Sequence, residues 1–553
     1  MSENKDLNWW RGAVIYQIYP RSFLDTNGDG IGDLPGIADR LDYVAKLGVD
    51  GIWISPFFHS PMKDFGYDVS DYRSVDPTFG TNEDFDIVLK RAHDLGLKVI
   101  IDMVLSHTST EHPWFIESRL SKTNRKADWY VWADPKEDGS PPNNWQSLFG
   151  GSAWTFDTHR AQYYLHNFLQ DQPDLNYHNP AVQNQVLSEC RYWLERGVDG
   201  FRLDTVNFYF HDKELRDNPP RKTAATEYAT QYEKPDPYSM QAHLYDKSQP
   251  EMFEFLERLR TLMDEYPGSM TVGEIGDDDP YKLAAQYTDQ NKYLNTTYNT
   301  HMMAGTDSKS FDKSFIQDPT VEFEKQPGEG WPSWALCNHD VVRVVTRWGQ
   351  KDGYEQEPDF AKALIALLGC LRGTIYLYQG EELGLSEASI PYERIQDPWG
   401  KYLWPEWQGR DGCRTPMPWH AEEPHSGFST GEGDTWLPIP EWHRVNAVNI
   451  QKENPKSVLN FSRDFLNWRK EKDVLKTGTI KFLETSGEKL IAFERTLEQE
   501  KVICAFNVSS KQAEIPYETE TGERPSFCTG ERKDTAIILP PFGAFIANVK
   551  STS

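Results

Sequence analysis

Four short apolar runs in this chain end in side chains that can transfer protons or stabilise a developing charge. In chain order the runs lead to Asp102 and His107, to Asp204, to Glu274, and to His339 and Asp340. A single aspartate after a strand would more often cap the next helix. Four such ends come together only when parallel strands close into a barrel, where chemistry is placed at the carboxyl ends of the strands. The pattern therefore predicts a catalytic centre that contains several carboxylates.

The elements that must position these residues alternate regularly along the chain. Short apolar strands are followed by helical patterns, for example the helix expected over residues 83–95, which ends at Gly96. Eight barrel strands are expected, at 14–19, 51–55, 98–104, 200–203, 270–274, 293–298, 334–340 and 373–378. This alternation is typical of α/β proteins and predicts a (β/α)8 TIM barrel.

The barrel rhythm is interrupted in two places and stops before the end of the chain. Residues 108–176 are rich in Trp, Asn, Gly and Pro, which predicts a domain inserted after the third strand, on the catalytic face. A second excursion covers about residues 379–449. Beyond about residue 473 short β-runs predict an all-β C-terminal sandwich domain. The chain is thus divided into a barrel (1–107 and 177–472), an inserted domain (108–176) and a C-terminal domain (473–553).

Composition narrows the class of protein and its partners. The 553 residues include 13% aromatic side chains, which suits stacking on sugar rings, and carry a formal net charge of −27. That charge argues against nucleic acid or anionic membranes as partners. The first six residues show no secretory pattern, no run is long enough to span a membrane, and six scattered cysteines indicate reduced thiols. We expect a cytoplasmic protein that is a monomer or a weak homodimer.

A turn after the first strand carries oxygen-bearing side chains at alternate positions. Asp25, Asn27 and Asp29 precede Asp33, with glycines between them that permit a tight turn. Such spacing can surround one hard cation, as at the start of a calcium-binding loop. An Asx-rich turn without metal fits the same pattern equally well.

The four catalytic run ends resemble the four signature regions of the α-amylase family of glycoside hydrolases. Two further stretches, Gln172–Asn176 and Arg410–Trp419, are similar to motifs of its α-glucosidase and oligo-1,6-glucosidase branch. The likeness extends from about Trp9 into the C-terminal domain. It also implies that the turn described above holds one structural Ca²⁺ or Mg²⁺, with ligands from Asp25, Asn27, Asp29, the Ile31 carbonyl and Asp33.

The resemblance implies a role for each catalytic candidate. Asp204 would be the nucleophile, and Glu274 would be the acid that later becomes the base, as retaining glycosidases require. Arg202, two residues earlier on the same strand face, can keep Asp204 ionised. Asp340 would be the third family carboxylate, and Asp102 would support the site.

The resemblance also implies how the sugar is held. His107 and His339 would bond its hydroxyls, and Tyr67 would stack beneath its ring, with Phe168 as a further contact. A pair formed by Asp68 and Arg414 would close the end of the pocket and so make the enzyme exo-acting. Thr205, directly after the nucleophile, would set the linkage: threonine goes with α-1,4 cleavage and valine with α-1,6.

The sequence therefore predicts a retaining α-glucosidase that releases glucose from the non-reducing end of short α-glucosides and can also transfer glucose to an acceptor sugar. Maltose, sucrose and short malto-oligosaccharides are the expected substrates, with α-1,4 linkages preferred. An oligo-1,6-glucosidase, a sucrose isomerase and a trehalose-6-phosphate hydrolase are alternatives within the branch. A non-catalytic amylase-like binding protein is an alternative from another class, but it would be expected to lack the acidic strand ends.

Overall fold

The computed structural model describes residues 7–222, 236–277, 279–299, 301–303 and 311–550. The six N-terminal residues, on which the expected absence of a secretory signal partly rests, and the middle of the loop after Asn207 lie outside the described residues. Within the described ranges, no helix combines the length and the apolar character needed to cross a membrane.

The strands are, in chain order, β1 (Val14–Ile18), β2 (Gly51–Ile54), β3 (Phe58–His59), β4 (Asp71–Val75), β5 (Lys98–Met103), β6 (Trp132–Ala133), β7 (Trp154–Asp157), β8 (Gln162–Leu165), β9 (Gly200–Leu203), β10 (Met270–Ile275), β11 (Thr296–Asn299), β12 (Pro332–Ala335), β13 (Thr374–Tyr378), β14 (Thr479–Phe482), β15 (Leu490–Leu497), β16 (Glu500–Asn507), β17 (Ala513–Pro516), β18 (Glu531–Lys533), β19 (Ala536–Leu539) and β20 (Ala544–Asn548).

The α-helices are α1 (Leu34–Lys46), α2 (Asn82–Asp94), α3 (Pro113–Arg119), α4 (Pro180–Arg196), α5 (Met252–Asp264), α6 (Pro280–Thr288), α7 (Ser314–Lys325), α8 (Val344–Gly349), α9 (Pro358–Cys370), α10 (Pro398–Leu403), α11 (Glu441–Val445), α12 (Val448–Glu453), α13 (Val458–Lys470) and α14 (Asp473–Thr477).

Eight parallel strands close into a barrel in the order β1, β13, β12, β11, β10, β9, β5, β2, so the predicted TIM barrel is confirmed. The strands are buried along their length, which explains why they read as continuous apolar runs rather than alternating ones. The seventh strand is shorter than expected: β12 ends at Ala335, and residues 336–340 leave the sheet to carry His339 and Asp340 onto the catalytic face.

The barrel helices begin and end where their sequences indicate. A capping box joins Thr81 and Asp84 at the start of α2, while α4 begins at Pro180 after Asn179 caps it. Helix α4 ends at Gly197, whose φ of 106° places it in the left-handed region that favours glycine. The chain then enters β9, the strand that leads to Asp204.

Close contact between β9 and β10 depends on Gly200. Its φ is +159°, and a Cβ atom there would lie 2.1 Å from the Met270 carbonyl oxygen. A larger residue would therefore separate the two strands that carry Asp204 and Glu274.

The regions outside the barrel form separate sheets. Within residues 108–176 lie α3 and a three-stranded antiparallel sheet in the order β6, β8, β7. The C-terminal part contains a four-stranded sheet (β14, β15, β16, β20) and a three-stranded sheet (β17, β19, β18), which confirms the all-β character expected of it. All six cysteines are unpaired and buried.

Candidate active site

The register of the barrel places the key carboxylates side by side. Leu203 of β9 pairs with Gly273 of β10, so the next residues, Asp204 directly after β9 and Glu274 within β10, lie at the same level. On the other side of β9, Arg202 pairs with Asp102 of β5. Neighbouring strands lie about 4.8 Å apart, which suits the spacing of about 5 Å between the carboxyl groups of retaining glycosidases.

Arg202 joins three carboxylates at the base of the site. Its Nη1 donates to Asp102 at 2.9 Å and to Asp204 at 2.5 Å, and its Nη2 donates to Glu274 at 2.5 Å. The side chain of Arg202 is only 1% exposed. A buried guanidinium shared in this way offsets the mutual repulsion of the carboxylates and fixes their positions.

The environments of the two central carboxyl groups separate their proton affinities. Burial raises the pKa of Glu274 to about 7, against the opposing charge of Arg202, and the charges of Asp204 and Asp340 raise it further. Burial also raises the pKa of Asp204, to about 6, although Arg202 lowers it. Near neutral pH, Glu274 can therefore hold a proton while Asp204 is mostly ionised, as an acid and a nucleophile require.

Asp340 is held in the ionised form by several positive or polar groups. Arg414 donates to it at 2.8 Å, Arg410 at 3.3 Å, and His339 Nε2 lies 3.1 Å away. Although burial opposes ionisation, these neighbours hold the pKa of Asp340 well below its usual value. Asp340 therefore stays an acceptor throughout the neutral pH range.

These carboxylates face one pocket on the catalytic face of the barrel. Its lining residues are Asp64, Tyr67, His107, Leu148, Phe149, Phe168, Gln172, Asp204, Thr205, Phe208, Glu274, Ile275, Gly276, Asp340, Trp399 and Arg410. Among the predicted site residues, Arg202, His339 and Arg414 lie behind this lining, in hydrogen-bond contact with the residues that form it. The barrel strands, the inserted domain and the second excursion all contribute to the wall.

The predicted pairing of Asp68 with Arg414 is wrong. The Asp68 carboxylate is fully buried and accepts hydrogen bonds from Ser60 Oγ and from the backbone N–H groups of Lys63 and Asp64. It therefore organises its own loop and is not part of the pocket lining. Arg414 instead donates to Asp340 and to the His339 carbonyl.

The lining of the pocket contains an ion pair formed by Asp64 and Arg410. Arg410 Nη2 donates to Asp64 at 2.7 Å, and Arg410 is also bound by Asp397 at 2.8 Å. Tyr67 donates its backbone N–H to the Asp64 carbonyl, so Asp64 and Tyr67 lie on one turn. The signal was present in the sequence, because Arg410 opens the Arg410–Trp419 motif and Asp64 lies three residues before Tyr67.

Other lining residues were missed by sequence reasoning. Gln172, which opens one of the two branch motifs, lies 3.3 Å from Asp64 and 3.2 Å from His107 Nε2. Phe149 of the inserted domain packs against Trp399 of α10 with ring centroids 4.9 Å apart. No sequence signal indicated this last contact, since it joins two excursions whose relative placement depends on the fold.

Thr205 has an unusual conformation for its type. Its φ of 39° and ψ of 50° lie in the left-handed region, where a β-branched residue is strained. The hydroxyl lies 3.1 Å from Ser106 Oγ and 3.3 Å from Asp204 Oδ2. The side chain thus points into the turn beside the Asp204 carboxylate.

The turn at Asp25 is closed by its own hydrogen bonds. Asp25 accepts from the N–H groups of Gly28 and Gly30, both at 2.7 Å, and Asp33 caps α1. Asn27 and Asp29 bond the backbone in the same way. The atoms that could ligate a metal here are hard oxygens, which are the ligand type that Ca²⁺ and Mg²⁺ prefer. Within the described ranges, however, no group of three or more His, Cys, Asp or Glu side chains is placed to hold a metal ion.

Comparisons with known proteins agree with this geometry. The alpha-amylase catalytic domain family matches residues 17–478. A probable alpha-glucosidase of Rhizobium meliloti (strain 1021) is 53% identical over 98% of each chain. An oligo-1,6-glucosidase of Heyndrickxia coagulans is 38% identical, over 91% of this chain and 92% of its own.

Solved structures show the same likeness in three dimensions. The alpha-glucosyl transfer enzyme XgtA has a TM-score of 0.92 and 52% identity, covering 98% of this chain and 99% of its own. The trehalose-6-phosphate hydrolase of Bacillus licheniformis has a TM-score of 0.84 and 32% identity, covering 98% and 100%.

Proposed function

The chain belongs to the alpha-amylase family of glycoside hydrolases, and from this premise we propose that it is an exo-acting α-glucosidase that prefers short α-1,4-glucosides. The observation that carries the proposal is the pocket in which Asp204 and Glu274 share Arg202 and whose lining also holds the Asp64–Arg410 ion pair. Related enzymes include proteins named alpha-glucosidase and oligo-1,6-glucosidase.

The geometry supplies each requirement of a retaining mechanism. Asp204 attacks the anomeric carbon while Glu274 gives its proton to the leaving oxygen. Once Asp204 is esterified, its charge no longer raises the pKa of Glu274, and Glu274 can accept a proton from water or from an acceptor sugar. Arg202 donates to both carboxyl groups and so positions them for both steps.

The closed end supports exo-action. The Asp64–Arg410 pair offers a carboxylate and a guanidinium to the outermost hydroxyls of a terminal glucose. The Arg410 guanidinium lies over Phe149, 5.2 Å from the ring centroid. This ring narrows the pocket beside the Asp64–Arg410 ion pair. A chain that continued past this ring would have to displace both groups. Short substrates such as maltose and sucrose are therefore favoured over internal cleavage of long chains.

Transfer of glucose to a sugar acceptor is a second capacity that we propose. The lining has an apolar part, formed by Phe168, Phe208 and Ile275. This part limits the access of water and leaves room for the ring of an acceptor sugar. The 52% identity with an alpha-glucosyl transfer enzyme supports the same idea.

The setting of the enzyme follows from the same proposal. We infer a cytoplasmic protein, because six unpaired buried cysteines suit a reducing compartment. We also propose that one structural Ca²⁺ or Mg²⁺ is held by Asp25, Asn27, Asp29, the Ile31 carbonyl and Asp33, where it would neutralise the acidic turn.

One assay tests the function and its alternatives. The purified enzyme is incubated with maltose, isomaltose, sucrose and trehalose 6-phosphate, with Asp204→Asn as the control for contaminating activity. We expect glucose release, with kcat/KM highest for maltose, and transfer products at high maltose concentration. Preferred cleavage of isomaltose or trehalose 6-phosphate, or isomerisation of sucrose, would replace the proposal by the corresponding alternative.

A further inference from the structure

Gln17 is a buried polar residue in the middle of an otherwise apolar barrel strand. It lies on β1, is 1% exposed, and was not among the candidate site residues. Its side-chain Nε2 donates to Ser55 Oγ at 3.0 Å and lies 2.8 Å from His339 Nδ1. A buried amide in this position needs partners for both of its N–H groups, and these two contacts provide them.

The opposite nitrogen of His339 shows which tautomer fits the site. His339 Nε2 lies 3.1 Å from Asp340 Oδ2 and 2.6 Å from the Tyr67 hydroxyl. The Tyr67 hydroxyl donates its one proton to Asp102 Oδ2, at 3.2 Å, so it accepts from His339 Nε2, and a proton on Nε2 also suits the nearby Asp340 carboxylate. Burial lowers the pKa of His339 to about 3, so the ring is neutral and has only one N–H group. Nδ1 is then an acceptor, and Gln17 must present its NH2 group to it.

We propose that Gln17 is a positioning residue that fixes His339 in the tautomer protonated at Nε2. The two ends of the imidazole are thereby held by complementary groups: the Gln17 NH2 group donates to Nδ1, and Nε2–H faces the Tyr67 hydroxyl and the Asp340 carboxylate. If the proposed function holds, the same Nε2–H group is directed at the sugar hydroxyl held by Asp340.

The hydrogen bonds continue from His339 toward the catalytic arginine. Tyr67 can accept from His339 and then donate to Asp102 Oδ2, at 3.2 Å. Asp102 also accepts from Arg202 at 2.9 Å, and Arg202 holds the nucleophile. A wrong tautomer at His339 would place two acceptors, or two donors, against each other in this sequence of bonds. Its effect would therefore extend beyond a single contact with the sugar.

A purely structural role for Gln17 is the competing explanation, because the amide also satisfies Ser55. The two roles can be separated with two variants. Gln17→Met keeps the volume but removes the donor to His339, while Ser55→Ala removes the second partner of the same amide and leaves the contact with His339. Neither variant alters the titratable or charged groups that face His339. These groups are Asp340, Tyr67, Tyr19, Arg202, Arg410 and Arg414.

The decisive measurement is the 15N chemical shift of His339 in protein labelled at histidine, assigned by the signal that is lost in His339→Asn. We expect wild-type Nδ1 to be unprotonated and hydrogen-bonded, with shifts constant from about pH 5 to pH 9. In Gln17→Met the 15N shift of Nδ1 should move toward that of an imine nitrogen that accepts no hydrogen bond. In Ser55→Ala the shift should not change. A protonated Nδ1 in the wild type, or equal shifts in the wild type and Gln17→Met, would overturn the proposal. The wild-type shifts are measured on the unaltered protein, and only their assignment uses a variant.

A third variant and an activity assay add independent readouts. Gln17→Glu places a titratable acceptor at Nδ1, so the shifts of His339 should become pH-dependent; constant shifts would contradict the proposal. With maltose, kcat/KM should fall about 10- to 100-fold in Gln17→Met and by less than about threefold in Ser55→Ala. Equal losses would indicate a structural role only. Because the shifts are read without substrate, a lack of glucosidase activity would reject the proposed function without affecting the tautomer result.

Discussion

The carboxylate of Asp64 accepts from Arg410 Nη2 at 2.7 Å, although the two residues are 346 positions apart in the chain. Asp64 lies in the loop after β3, whereas Arg410 lies in the second excursion, after α10. Both residues line the pocket, and a third residue, Asp397, also binds Arg410. The pair thus combines a fixed cation with an anion in the wall of the pocket.

We expect Asp64→Ala to raise KM for maltose by about 10- to 100-fold, since one missing hydrogen-bond partner for a sugar hydroxyl costs about 1 to 3 kcal/mol. Arg410 should stay in place because Asp397 still binds it. Asp68→Asn is the matched control: its carboxylate faces its own loop, so KM should change by less than about threefold while the melting temperature falls. Steady-state kinetics and thermal unfolding of both variants check this. Equal effects on KM would show that the closed end has been misassigned.

The rate should depend on pH through the two central carboxyl groups. The proposed mechanism needs Asp204 ionised and Glu274 protonated, and burial raises their pKa values to about 6 and about 7. The profile of kcat/KM should therefore be bell-shaped with its maximum between these values. In Asp204→Asn and Glu274→Gln we expect kcat to fall by at least about 10⁴-fold with the fold intact. A profile that is flat from pH 5 to pH 9 would contradict the assignment.

Glu274→Gln should also change how stability depends on pH. The pKa of Glu274 is about 7 in the folded protein, against an ordinary value of 4.5, so the native state binds this proton more tightly. That contribution to stability is fully present below about pH 4.5 and is lost as pH rises through about 7, by up to roughly 3 kcal/mol. The glutamine variant lacks this loss. Its melting temperature relative to wild type should therefore rise from pH 4.5 to pH 7 and then stay level; a difference independent of pH would refute the raised pKa.

Linkage preference should respond to the hydroxyl of Thr205. Thr205→Val removes the contacts with Ser106 and Asp204 while nearly preserving shape, and should raise the ratio of isomaltose to maltose kcat/KM by about 10- to 200-fold. Thr205→Ser keeps the hydroxyl and should leave the ratio within about threefold of wild type. If both variants shift the ratio equally, shape rather than hydrogen bonding sets the linkage.

The acidic turn at Asp25 should make stability depend on a divalent cation. Treatment with a chelator should lower the melting temperature, and added Ca²⁺ or Mg²⁺ should restore it, because an ion that binds only the folded state stabilises it. Asp29→Asn should weaken this response. Chelator already saturated with the metal is the control. An unchanged melting temperature, with no metal found in the purified protein, would leave an Asx-rich turn held by its own hydrogen bonds.

The fold could be predicted because its signals are local. Each barrel strand is a short apolar run, and helix ends are marked by residues such as Gly197, the C-cap of α4. The end of β12 was misjudged, since an apolar run does not show where the chain leaves the sheet. The assignment of Asp68 failed for a similar reason: Asp64 and Asp68 lie on either side of Tyr67, and only the turn decides which carboxylate faces the pocket. Gln17 gave no signal because its partners are Ser55, directly after β2, and His339, in the loop after β12.

The closure of the barrel by β1 and β13 also has a consequence for refolding. Val14 pairs with Ile375, so the ring of strands is complete only when segments some 360 residues apart have met. Such non-local pairing is slow, and helices form long before it. During refolding, the far-UV signal should therefore recover well before the ability to cleave maltose. The appearance of activity would then report when β1 and β13 pair and the barrel closes.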